Sequence, residues 1–231
     1  MALPSYGFYA IAFVMAFASM AYELLLAQCA VILYGGTVLR YSTMIGLFIF
    51  SLGMGAAQWA WSDRIPSQKT FWRIEVALSV LGLLMPCVVF LADPFLRHFF
   101  PQAGFILALV FSVAIGWLAG MELPVLLMLI ENQDPLRQQG VSATKNIVGL
   151  DFLGTFFATI IVPVVSYPAL GIIGTAALAG GLNCVLGWIV GRQDRDVGPL
   201  VHGVTLGLMV LSALGFIWRD EVGIWLAGIA Y

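Results

Sequence analysis

The chain has 231 residues, 61% of them hydrophobic and 10% charged, and its mean hydropathy is +1.01. Those values exclude an ordinary soluble domain and point to a polytopic membrane protein. Ten Lys and Arg nearly balance twelve Asp and Glu, with no basic block or acidic tail, which argues against a nucleic-acid partner.

The N-terminus, MALPSYGFYAIAF, has no basic region, and the apolar run behind it is too long for a signal-peptide core, so it reads as a retained first helix. A bilayer core about 30 Å thick calls for about 20 apolar residues at 1.5 Å each. Seven runs qualify: 7–33, 43–61, 72–92, 104–130, 146–166, 169–190 and 200–218. The expected fold is therefore an all-α integral membrane bundle of about seven transmembrane helices in a single domain, 1–231.

Turn chemistry marks the breaks: Gly35 and Gly36; Ser62 to Lys69 with Pro66; Asp93 and Pro94 to Pro101; Asn132 to Thr144 with Pro135; Tyr167 and Pro168; and Gly191 to Pro199. The tail, 219–231, is too short to span and reads as an interfacial segment with Trp225 and Tyr231 near the headgroups. With the N-terminus cytoplasmic, the inner loops hold Arg64, Lys69, Arg73, Arg137, Lys145, Arg192 and Arg195, against Arg40, Arg97 and Arg219 outside. Seven against three favours that orientation, in a membrane of the bacterial inner (plasma) type.

Gly116 with Gly120, Gly203 with Gly207, and the Gly53, Gly55, Ala56 cluster have the spacing that lets helices approach closely. Cys29, Cys87 and Cys184 lie in apolar runs with no CxxC spacing and read as small core or lipid-facing residues.

Three carboxylates fall well within spans: Glu23, Glu122 and Asp151. A charge in hydrocarbon costs roughly 2.5 kcal/mol or more by insertion scales, so such a residue faces protein, a partner or water. Glu122 sits in GMELP, where Pro124 removes a backbone donor and frees carbonyls in the preceding turn. Asp151 follows Lys145 and Asn146 closely enough to pair with either; Glu75, beside Arg73, reads as an interfacial charge. Tyr22 stands next to Glu23 as a polar neighbour. The candidate ligand site is thus Glu23, Glu122, Asp151 and Tyr22, an acidic and base-poor interior suited to protons, a small inorganic cation or an organic amine. The alternative is that these carboxyls are protonated hydrogen-bond donors between helices.

His98 and His202 fall near opposite interfaces with no metal-ligand spacing, and no Ser-His-Asp order, HExxH helix or P-loop is present. Neither a metal, a cofactor nor a catalytic residue is expected. The loop GAAQWAWSDRIPSQKTFWR, with Asp63, Arg64 and Lys69, is loosely similar to the cytoplasmic signature between the second and third helices of major facilitator transporters.

Ala21-Tyr22-Glu23, Gly35-Gly36-Thr37 with LRYSTMIGLFIFSLGMG, Gly120-Met121-Glu122-Leu123-Pro124, and LDFLGTFFATIIVPVVSYPALGIIGT together resemble the N-terminal membrane domain of membrane-bound spermidine-synthase-like proteins. The resemblance covers nearly the whole chain. It implies helices that accompany a Rossmann-like aminopropyltransferase domain, whose GGGDG-type loop holds decarboxylated S-adenosylmethionine. No such loop occurs here; Gly180-Gly181 lies in an apolar helix with no acid after it. The fifth helix of that family often carries Asn where this chain has Asp151.

Three functions follow as expectations. The first is a transporter-like module passing a small cation or polyamine, paired with a second copy or another membrane protein because seven helices are half a facilitator. The second is a structural or assembly subunit of a larger membrane complex. The third is the membrane domain of a split or truncated aminopropyltransferase.

Overall fold

The computed structural model describes residues 5–62, 65–131, 140–192 and 199–230. Among them there is no strand; the elements are α1 (Ser5–Tyr34), α2 (Val38–Ala60), α3 (Gln68–Leu96), α4 (Ala103–Glu131), α5 (Gly140–Ile161), a π-helical turn (Val162–Ser166), α6 (Tyr167–Gly191), α7 (Pro199–Ile217) and α8 (Arg219–Ala230). Five helical runs are long and apolar enough to cross a membrane, or up to six if the bent pair Val201–Ile217 and Arg219–Leu226 counts as one.

Local chemistry sets the boundaries. Gly35, at φ +78°, ends α1 in the left-handed region that glycine enters without steric cost, and its N–H bonds Val31 O at 2.8 Å. Thr37 then caps α2 by accepting from the Arg40 N–H. A capping box of Ser67 and Thr70 starts α3. That start is earlier than the apolar pattern implies, and α3 also runs through Asp93 and Pro94, where the turn chemistry predicts a break.

The contacts give the direction of each stroke. Tyr22 beside Gly82 and Tyr34 bonded to Asp93 make α3 parallel to α1. Ser19 bonded to Glu122 and the Tyr34 hydroxyl bonded to the Gly104 N–H make α4 antiparallel to both. Ser112 meets the Met44 carbonyl and Gly55 meets Trp117, so α2 runs with α4. Gly154 lies on Phe13 and Tyr167 bonds Gln28, so α5 climbs along α1. Gly180 on Leu83, Gly187 on Glu75 and Gly191 on Trp72 then bring α6 back down α3. Finally α7 rises again, with Thr205 against Trp72 and Gly215 against Ala177.

The helical run Thr144–Gly191 is 48 residues long, about 72 Å at 1.5 Å per residue, more than twice a bilayer core. Its two halves nonetheless run in opposite directions. The expected break at Tyr167-Pro168 falls inside helix; the chain widens into the π turn at Pro163, which lacks an N–H, and reverses at Gly171, whose φ of 66° and ψ of −174° suit only glycine. The strokes alternate, so Lys69, Arg73, Lys145 and Arg192 lie at the basal end and Arg40, Arg97 and Arg219 at the apical end, sorted as the loop charges implied. Asp63, Arg64, Arg137, Arg195 and Tyr231, with the whole of 132–139 and 193–198, lie outside the described residues.

Helix α1 is the hub, packed against α2, α3, α4, α5 and α6. Phe8, Met15, Tyr22, Leu26, Leu78 and Leu126 are among its buried partners and residues, whereas Phe152, Phe156, Ile160, Val164, Leu206 and Val210 are exposed on an apolar exterior. At the apical end Asp93, fully buried, accepts from the Tyr34 hydroxyl and from Arg97, while Arg40 donates to the Tyr34 carbonyl and both guanidiniums lie over the Tyr34 ring. This clasp ties the tops of α1 to α4.

Helices α2 and α4 touch backbone to backbone. A Cβ on Gly120 would lie 1.9 Å from the Leu52 carbonyl oxygen, and one on Gly55 2.0 Å from that of Trp117. The expected pair Gly203 and Gly207 does not act this way: nothing lies within 4 Å of either, nor of Gly53. We expect Gly120→Ala to destabilise the bundle by about 1–3 kcal/mol through overpacking, and Gly203→Ala to leave it unchanged. Thermal unfolding of the purified variants in detergent checks the contrast.

Candidate functional site

Polar side chains gather on facing stripes at mid-bundle. On α3, Glu75, Ser79 and Gly82 recur at spacings of four and three; on α6, Gly180, Asn183, Cys184 and Gly187 do the same, so each set shares one helix face. Ser79 donates to the Gly180 carbonyl at 2.9 Å and receives the Cys184 thiol at 3.2 Å. Glycine makes room for the larger groups. A Cβ on Gly82 would lie 2.1 Å from the Tyr22 ring, and one on Gly187 2.9 Å from Glu75 Cβ.

Into this space α4 brings Glu122, whose Oε2 accepts from the Ser19 hydroxyl of α1 at 2.7 Å. The Glu75 and Glu122 carboxyls are within hydrogen-bonding reach of one another, and Tyr22 is close enough to feel both. Exposure is 0% at Glu75 and Tyr22 and 2% at Glu122, so the group is closed to bulk water.

The four residues expected to form the site divide. Glu122 and Tyr22 meet in the cluster. Asp151, half-buried on α5, lies within electrostatic reach of Glu122, but it has no ion pair with Lys145, and both Lys145 and Asn146 are exposed. Glu23 is buried, seven residues beyond Ala16 on the stripe of α1 that meets Gly154 of α5, and has no hydrogen bond or ion pair among the described residues. Glu75 corrects the sequence reading: it is a central member of the cluster, because α3 begins at Gln68 and places it two turns inside the helix. The four- and three-residue spacing of Glu75, Ser79 and Gly82 was the signal that could have found it. Helix α4 passes through Pro124 without a break.

A second feature is an apical cleft of about 500 Å³ between α1, α3, α6 and α8, lined chiefly by Ile32, Phe90, Leu170, Ile173 and Leu226. Arg219 stands in its wall, one guanidinium nitrogen donating to the Phe216 carbonyl at 3.1 Å and Nε buried without a hydrogen-bond partner.

Comparison with known proteins gives one consistent likeness. The chain is 28% identical over 210 residues to the polyamine aminopropyltransferase of Leptospira interrogans, covering 88% of this chain and 39% of that protein. It is 30% identical over 216 residues to polyamine aminopropyltransferase 1 of Streptomyces coelicolor, covering 91% of this chain and 39% of the relative. The polyamine aminopropyltransferase of Corynebacterium efficiens is likewise 30% identical over 212 residues, 89% of this chain and 39% of that one. The chain thus spans about two fifths of the length of these relatives. No protein-family model and no solved structure matches it.

Removing the donor from Glu122 leaves a buried acceptor short of a partner, which costs about 1–3 kcal/mol. We therefore expect Ser19→Ala to lower the melting temperature, and Thr43→Ala, whose hydroxyl bonds only its own helix at an exposed position, to leave it unchanged. Parallel melts of the two variants check this.

Proposed function

We propose that this chain is the membrane-embedded helical module of a polyamine aminopropyltransferase-type system, holding transferase chemistry at the bilayer while the reaction itself is carried by a separate soluble fold. The observation behind it is the match that takes in about nine tenths of this chain but 39% of its relatives, so that the greater part of each relative lies outside it. The helical architecture supports the same division. Aminopropyl transfer calls for a donor-binding αβ fold, and the described residues contain no strand and no Gly-rich loop after one. The apolar exterior suits a lipid bilayer, and the charge asymmetry of the ends suits an inner membrane with the basal end cytoplasmic.

A route for a small cation or polyamine lined by Glu23 and Glu122 has less support. Glu122 is closed into the central cluster, and Glu23 stands on a different stripe of α1 without a polar partner.

The test is affinity purification of the tagged chain from its native membranes, followed by assay of aminopropyl transfer from decarboxylated S-adenosylmethionine to a diamine. We expect activity in the membrane-derived preparation and none with residues 1–231 produced alone. A preparation that contains the chain intact but neither transferase activity nor a transferase polypeptide would overturn the proposal.

A further inference from the structure

The buried polar atoms without partners are concentrated around one pair. Tyr22 Oη, both oxygens of Glu75, Glu122 Oε1 and both amide atoms of Asn183 have no hydrogen-bond partner among the described residues. Tyr22, Glu75 and Asn183 are fully buried. Two carboxylates within reach of each other repel strongly in a medium of low dielectric, and no ion pair among the described residues involves either. A single proton between them turns two acceptors into a donor and an acceptor.

We propose that Glu75 and Glu122 form a proton-binding site, sharing one proton across the α3–α4 interface. The proton sits on a carboxyl oxygen of one glutamate and is accepted by the other; its release to solvent leaves two negative charges. The packing favours so small an occupant. Gly82 is already filled by the Tyr22 ring and Gly187 by Glu75, which leaves little room for an ammonium group, and no cluster of three His, Cys, Asp or Glu among the described residues could hold a metal.

The groups facing the pair are neutral or acidic on every side. Ser19 and Tyr22 come from α1, Ser79 from α3, Asp151 from α5 within electrostatic reach, and Cys184 and Asn183 from the facing stripe of α6. Nothing there compensates a second negative charge. Loss of the proton drives α3 from α4 at the centre of the bundle, which makes the packing of the module proton-responsive.

Two measurements on the purified chain in lipid nanodiscs test it. Infrared spectra of the native chain should show the carbonyl band of a neutral, hydrogen-bonded carboxyl that disappears as pH is raised, and Glu75→Gln with Glu122→Gln together should remove that component. Melting temperature should fall from mildly acidic to mildly alkaline pH in the native chain and in Glu23→Gln, and the fall should be lost in the double variant. A native chain lacking the band, or a double variant that keeps both the band and the native pH profile, would overturn the proposal. If the double variant does not fold, the infrared titration of the native chain decides alone: a band absent at acidic pH, or unchanged on raising pH, counts against the site.

Discussion

The structure depends on burying α1 on every side. A helix apolar around its whole circumference has no solvent face to offer water, and here five other helices cover it. Strokes parallel to it, α3 and α5, and antiparallel to it, α4 and α6, supply that cover, and α2 closes the gap beside α4. Of the polar side chains that α1 carries in its middle, Ser19 and Tyr22 meet other helices, whereas Glu23 has no hydrogen bond or ion pair among the described residues. Ser19 finds Glu122, and Tyr22 finds the space left by Gly82.

Close approach and polarity are linked through the same residues. Where two backbones meet without side chains between them, as at Gly55 and Gly120, the interface is tight and apolar. Where glycine yields its volume to a neighbour, as Gly82 to Tyr22 and Gly187 to Glu75, large polar groups enter an interior that would otherwise exclude them. The second use is the one that builds the candidate site. It places a carboxyl pair, a phenol and an amide in a closed volume, an arrangement costly to fold unless a proton or hydrogen bonds satisfy it.

The likeness to polyamine aminopropyltransferases takes in about nine tenths of this chain and about two fifths of those relatives. The two ends of the bundle differ in charge. Its basal end carries Lys69, Arg73, Lys145 and Arg192, while the apical end is closed by the Tyr34–Asp93 clasp and holds the cleft under α8.

Composition and hydropathy alone determined that this chain is a bundle of long apolar helices, placed most of their boundaries within a few residues, and sorted the basic residues to opposite ends, because each of these depends on local sequence. The acids Glu122 and Asp151 were legible as anomalies in apolar runs for the same reason. Only the tertiary structure decided which anomalies meet. Glu75 looked interfacial because hydropathy blurs the start of α3, whereas the Ser67 cap sets that start a full turn earlier. Gly203 and Gly207 share the spacing of Gly116 and Gly120 but face open space, since spacing defines a helix face and not what lies against it. Glu23 and Glu122 likewise diverge because one step of about 100° around α1 separates the stripe meeting α5 from the one carrying Tyr22. Which neighbour covers each stripe is settled by the packing of all the helices together.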